Sequence, residues 1–192
     1  MSKDKANLRK IAKTVRNALT NLSEKNCKIR EKVLKLLYER NVKTLFCYVS
    51  FGSEADTIDL IRNVFGKIEV FVPYTYDERM IPVRLDSPDR LFNTDKHGNV
   101  YRYGEPLATD LLSVNADGRY CVGVTVVPML AFNDELYRLG YGGGYYDKFL
   151  TDCETVKIGV AFDEQKTTDF EAEDYDVALD AIVTQSKVFR RQ

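Results

Sequence analysis

The chain has 192 residues, 44% hydrophobic and 30% charged, with a formal net charge of −1. That length suits a single domain with a sizeable core, and the balanced charge gives no global field toward nucleic acid or a membrane surface. No apolar run is long enough to span a bilayer.

The four cysteines, Cys27, Cys47, Cys121 and Cys153, form no C-x-x-C pair, and His97 is the only histidine. Free buried thiols in a reducing cytoplasm are expected, with Cys47 and Cys121 inside apolar strand-like runs. A lone histidine in the turn-like Asp95-Lys96-His97-Gly98 serves neither a zinc site nor a histidine-activated nucleophile. The basic, acid-poor opening lacks a signal peptide's apolar core and reads as mature protein.

In chain order, residues 3–22 form an amphipathic helix, with Leu8, Ile11, Val15, Leu19 and Leu22 at three- and four-residue steps. At about 100° per residue, Lys5, Arg9 and Arg16 fall along one edge of that stripe. Lys5 and Arg9 are one turn apart and could grip one anion; a solvated face with stems lying over the core edge fits the spacing too. Ser23 is the expected N-cap of a second helix, running to about Glu39 through Ile29, Val33, Leu36 and Leu37. Residues 44–50 read as a buried strand. Phe51-Gly52-Ser53-Glu54-Ala55-Asp56-Thr57 ends it, and Thr57 caps a helix over 58–65. Glu54 and Asp56 thus sit at the carboxyl end of an expected parallel strand, where open α/β sheets bind ligands. Helix-dipole compensation is the competing role for either acid.

A second strand covers 68–72, and a third, over 80–85, carries Pro82 and so is an edge strand or irregular. Residues 86–103 are polar and turn-rich, and Gly104-Glu105-Pro106 reads as an extended turn. Residues 121–127 give the clearest strand, and the chain then runs through Pro128-Met129-Leu130-Ala131-Phe132 into Arg138-Leu139-Gly140-Tyr141-Gly142-Gly143-Gly144-Tyr145-Tyr146-Asp147. Beyond it come a helix start at Tyr145, a strand over 156–162, Gln165, an acidic and solvated 169–176, and a last strand near Asp180.

Four of the eleven glycines fall within five residues of that ten-residue string. Glycine costs backbone entropy, so the cluster signals positive φ or close approach of the backbone to a ligand. A glycine loop feeding a helix start presents free amides and suits phosphate, with Arg138 as an adjacent forked cation. The string is neither a Walker A loop nor a dinucleotide fingerprint, because no Gly-Lys-Ser/Thr follows and Tyr145 replaces the last glycine.

The string resembles the signature of the 5-formyltetrahydrofolate cyclo-ligase (methenyltetrahydrofolate synthetase) family, whose core pattern is Arg-Leu-Gly-x-Gly-x-Gly-Tyr-Tyr-Asp. Lys5/Arg9, Glu54-Ala55-Asp56-Thr57, Gly104-Glu105-Pro106, Gln165 and Asp180 extend the resemblance along the chain. The alternation of helices and strands indicates an α/β domain with a mostly parallel sheet, and the resemblance implies a three-layer Rossmann-like sandwich in a single domain.

It further implies ATP- and Mg²⁺-dependent cyclisation of 5-formyltetrahydrofolate to 5,10-methenyltetrahydrofolate, through a phosphorylated formyl group, by a cytoplasmic monomer without nucleic-acid or membrane partners. On that reading Lys5, Ala6, Asn7, Leu8 and Arg9 together with residues 138–146 (Arg138, Leu139, Gly140, Tyr141, Gly142, Gly143, Gly144, Tyr145, Tyr146) hold ATP. Lys5, Arg9, Arg138 and Tyr145 act on the reacting groups. Phe51, Glu54, Asp56, Tyr141, Tyr145 and the loop glycines hold folate, and Asp147 and Asp180 bind magnesium. Two positions depart from the family: Asn133 stands where Asp is usual, and Leu136 where Gly is usual. They remove a charge and a flexible joint just before the loop, with Asp134 the nearest stand-in carboxylate. A non-catalytic nucleotide or folate binder and a sugar-phosphate isomerase-type enzyme are the alternatives; the first binds without turnover, the second needs no ATP.

Overall fold

The computed structural model describes residues 5–76, 79–92 and 111–191. Helix α1 (Lys5–Asn17) leads into α2 (Leu22–Glu39), β1 (Thr44–Cys47), α3 (Ile58–Val64), β2 (Glu69–Tyr76) and β3 (Arg79–Arg84). After the next described segment come β4 (Tyr120–Val127), β5 (Ala131–Phe132), β6 (Arg138–Leu139), α4 (Tyr145–Thr151), β7 (Cys153–Val160), β8 (Ala181–Val183) and β9 (Val188–Arg190). His97 and Gly104-Glu105-Pro106 lie outside the described residues.

Among the described residues seven strands form one sheet in the order β3-β2-β1-β4-β7-β8-β9. The five inner strands run parallel, and β3 and β9 close the edges antiparallel. Pro82 sits on the edge strand β3, as a residue without an N–H requires. β2 runs past Pro73 to Tyr76, longer than its sequence suggests, because β3 pairs with it along that length.

The strands alternate between two buried faces, which is what makes three layers. Leu45, Cys47, Val70, Val72, Val124, Val126 and Val160 pack under α2 and α3. Phe46, Phe71, Val127 and Ile182 face the other way, against Phe149 and Leu150 of α4. A period of two on a sheet covered on both sides yields continuous apolar runs in the sequence.

The helix ends differ from their sequence signals. Ser23 lies inside α2, whose cap is Asn21 in the left-handed region (φ 56); Asn tolerates that conformation better than most residues. Thr57 does precede α3, but its hydroxyl donates to Tyr48 O at 2.6 Å. Asp56 caps the helix instead, accepting from Ile58 N at 3.1 Å and Asp59 N at 3.4 Å. Helix α1 is also rotated relative to its apolar stripe. Leu8 and Arg16 are buried, whereas Ile11 and Val15 are 50% and 39% exposed.

The thiols divide differently from expectation: Cys47 and Cys153 are buried, Cys27 is intermediate and Cys121 is exposed. Cys121 lies in the stretch of β4 before a register shift against β7, where burial alternates. Burial also pushes the Cys153 thiol up to about 12. A maleimide at neutral pH is therefore expected to label Cys121 first and to reach Cys47 and Cys153 only after denaturation; mass mapping of the labelled peptides checks this.

Candidate active site

The glycine string leaves the small β5–β6 hairpin and passes beneath α1. Asn133 organises the hairpin turn, its Oδ1 accepting from Tyr137 N at 2.9 Å and Glu135 N at 3.1 Å. Leu136 adopts φ 64, the conformation a glycine would take there, and is held by burial at 2% exposure. The two departures from the family pattern thus keep the turn. Asp134 plays no part in it and pairs with Lys166 at 2.5 Å.

Beyond Leu139, Gly142 and Gly144 take φ 105 and 67, angles that side chains rarely adopt. A Cβ on Gly143 would lie 2.8 Å from the Tyr145 ring. Backbone hydrogen bonding resumes only where Lys148 N donates to Gly144 O at 3.0 Å. The amides of Gly142, Gly143, Gly144 and Tyr145 have no acceptor among the described residues. Helix α4 has only seven residues, so any anion affinity rests on these amides and nearby cations rather than on a helix dipole.

A cleft of about 280 Å³ opens over this loop. Lys5 and Arg9 line it from α1, Thr75 and Met80 from β2 and β3, residues 138–147 from the loop, and Glu173, Tyr175 and Asp176 from the acidic segment. Arg9 Nε donates to Gly140 O at 2.9 Å, and its guanidinium lies 3.5 Å from where a Gly142 Cβ would be. Lys5 is held between Asp176 and Glu173, both at 2.9 Å. Burial works against its charge, but the two carboxylates outweigh it and raise the Lys5 pKa.

The acidic segment is therefore not the solvated loop its composition suggests. Phe170 is buried against Leu8, Ala131 and Leu139, which folds Glu173, Tyr175 and Asp176 over the cleft. An aromatic residue on either side of the acids was the available signal.

Arg138 takes a different place from the one expected. Its side chain is 3% exposed and pairs with Asp147 Oδ1 at 2.9 Å. Burial depresses its pKa, and Asp147 opposes that. Its Nε is buried without a partner among the described residues. Arg138 thus fixes Asp147, which also accepts from Val177 N at 3.3 Å through the same Oδ1. Tyr146 turns inward, its ring stacked on Phe46 at 6.4 Å, whereas Tyr145 and Tyr141 are partly exposed at the rim.

In the segment after β1 the structure separates the two acids. Asp56 is committed to capping α3. Glu54 accepts from Phe51 N at 2.9 Å and from the Tyr141 hydroxyl, which links it to the glycine loop. Burial and the adjacent Glu54 carboxylate push the Tyr141 phenol well up. Phe51 is 58% exposed beside this link. Of the remaining predicted residues, Leu8 packs α1 onto β5 and β6, and Ala6 and Asn7 are exposed.

Asp180 is not in the cleft. It precedes β8 at the amino end of the parallel strands, accepting from Lys157 N at 2.7 Å. The described residues hold no group of three metal-ligating side chains. Magnesium needs no such cage, since it takes one or two carboxylates plus phosphate oxygens and water. Asp147, with both protein contacts on Oδ1, fits that donor set; Asp180 does not.

The chain matches the 5-formyltetrahydrofolate cyclo-ligase family over residues 1–185. It belongs to that family. It is 29% identical over 185 residues to the 5-formyltetrahydrofolate cyclo-ligase of Mycoplasma pneumoniae, covering 94% of this chain and 98% of the relative. The Escherichia coli K12 cyclo-ligase is 39% identical over 156 residues, covering 76% and 80% of the two chains. The solved 5,10-methenyltetrahydrofolate synthetase of Aquifex aeolicus superposes with a TM-score of 0.77 at 28% identity, covering 97% of this chain and 92% of that one. For a family member, then, the ten-residue string is the loop around which the cleft is built, and the departures at Asn133 and Leu136 leave that loop in place.

Proposed function

We infer that this cyclo-ligase family member converts 5-formyltetrahydrofolate to 5,10-methenyltetrahydrofolate with ATP, releasing ADP and phosphate. The observation that carries the reading is a row of loop amides at residues 142–145, without acceptors among the described residues, that lines one cleft with two cations from α1. Such an array suits a polyphosphate that must be held and stabilised without a protein nucleophile.

The formyl oxygen of an N-formyl group is a poor leaving group. Its attack on the γ-phosphorus, with ADP departing, converts it to a phosphate ester. N10 then attacks the formyl carbon and loses its proton, and the carbon–oxygen bond breaks to release phosphate. Arg9 and Lys5 stabilise the charge spread over the transferring phosphoryl oxygens, and the loop amides orient it. Tyr141 and Tyr145 present apolar rings with polar tips at the mouth, suited to a pterin. Glu54, held by the Tyr141 hydroxyl, is the carboxylate placed to accept from the pterin edge or from N10. Asp147 is the residue that would hold Mg²⁺, which when bound neutralises part of the phosphate charge.

The free thiols suit the cytoplasm, where thiols stay reduced. No helix among the described residues is long and apolar enough to cross a membrane. The test is direct: protein, 5-formyltetrahydrofolate, ATP and Mg²⁺ should generate methenyl absorbance, and omission of ATP should abolish it. A flat trace from folded protein contradicts the assignment.

Glu173 and Asp176 both pair with Lys5, so nucleotide phosphate must compete with them. Glu173→Gln is expected to tighten ATP binding by about two- to fivefold, the weight of a half-exposed ion pair. Calorimetric titration with ATP reads the change.

A further inference from the structure

Arg16 has no part in the chemistry above, yet it is buried, with 3% of the residue exposed. Its hydrogen bonds go to a hydroxyl and a carbonyl and not to a carboxylate, although a buried charge ordinarily needs one. Its donors go instead to loops. Nε donates to Ser53 Oγ at 3.1 Å, in the segment after β1, and Nη1 donates to Met129 O at 3.2 Å, in the segment after β4. Its guanidinium lies 5.6 Å from the centroid of the Tyr141 ring, in the glycine loop. The hydroxyl of that ring, which the guanidinium also approaches, donates to Glu54.

One side chain therefore joins the loops after β1 and β4 to the glycine loop after β6. It reaches the residue that links the folate side to the phosphate side. A cation held within about 6 Å of an aromatic ring restrains where that ring sits. Core packing alone would be served at lower desolvation cost by an apolar residue of similar volume.

We propose that Arg16 is a positioning residue for the cyclisation, fixing Tyr141 and through it Glu54 against the folate without touching either substrate. This rests on the cyclo-ligase reading. It predicts a split between the two substrates that a merely structural role would not produce.

The experiment compares wild type, Arg16→Met, Arg16→Lys, Tyr141→Ala and the Arg16→Met/Tyr141→Ala double variant. Steady-state kinetics are run for both substrates, with calorimetric binding of ATP and 5-formyltetrahydrofolate. Arg16→Met should lower kcat/KM for the folate by about 100-fold, the scale of an ångström of misplacement. The ATP dissociation constant should stay within about threefold, because α1's own phosphate contacts are untouched. Arg16→Lys, which keeps the charge and loses the fork, should recover part of the loss. In the Tyr141→Ala background, Arg16→Met should cost no more than about threefold further, since the effect runs through the missing ring.

Unchanged folate kinetics in Arg16→Met overturn the proposal. So do a proportional loss of both affinities and additive effects in the cycle. Should Arg16→Met not fold, the same cycle built with Arg16→Lys decides between these outcomes. A wild-type protein that binds both ligands but forms no methenyl product defeats the reaction reading alone, and the split in binding still decides the role of Arg16.

Discussion

Replacing Arg9 by Ala is expected to lower turnover by about 10³-fold or more, on the scale of removing a cation that meets transferring phosphoryl charge. Arg9 is the α1 cation drawn against the loop itself, through Gly140 O at 2.9 Å, and Gly142 has no side chain that would separate them. The fold should survive. Ala is the strongest helix former, the hydrogen bond lost is one side chain to one carbonyl, and the midpoint should move by no more than about 4 °C for a chain of this size. Arg9→Lys should fall between, keeping charge but not the planar fork. Turnover by methenyl absorbance and unfolding by circular dichroism separate these effects. Activity close to wild type in Arg9→Ala removes Arg9 from the phosphate site.

Asp147→Ala is expected to be costly twice over. It removes the carboxylate that fits Mg²⁺, and it leaves Arg138, 3% exposed, without its counter-charge. Stranding a buried cation costs about 3 kcal/mol, near the low end of the range for a pair broken on one side. For a domain of this length that lowers the unfolding midpoint by about 6–12 °C. Asp147→Asn keeps the shape and an acceptor for Arg138 and Val177 but not the negative charge. It should recover much of the stability and little of the activity. If Asp147→Ala unfolds at the wild-type temperature, the Arg138–Asp147 pair does not stabilise the fold.

The fold was legible because its strands are buried on both faces, and such strands stand out as apolar runs between turn residues. Pro82 narrowed β3 to an edge strand or an irregular segment, and pairing with β2 decides for the edge. The glycine loop was legible for the same kind of reason: clustered glycines are a backbone statement, and positive φ at Gly142 and Gly144 is what they state.

Side-chain destinations were much less legible. Arg138 and Asp147 read as two separate ligand contacts, but they are each other's partner, a pairing set by the fold of a ten-residue loop rather than by spacing. Glu54 and Asp56 are chemically alike and two residues apart, and only the path of α3 assigns one to a cap and the other to Tyr141. The rotation of α1 was hidden because Leu8 is balanced by a buried arginine rather than by Ile11 or Val15. Asp180 misled because its sequence position says nothing of which end of the sheet it occupies. The acidic segment misled because one buried anchor, Phe170, outweighs the solvation preference of the acids around it.

The loop's role can be read at atomic level in a crystal structure with a non-hydrolysable ATP analogue, Mg²⁺ and 5-formyltetrahydrofolate. The β- and γ-phosphates should accept hydrogen bonds from main-chain amides within residues 142–145, with the Arg9 guanidinium alongside. A nucleotide seated elsewhere, with those amides still facing solvent or turned to neighbouring carbonyls, would contradict the assignment of this loop as the triphosphate site.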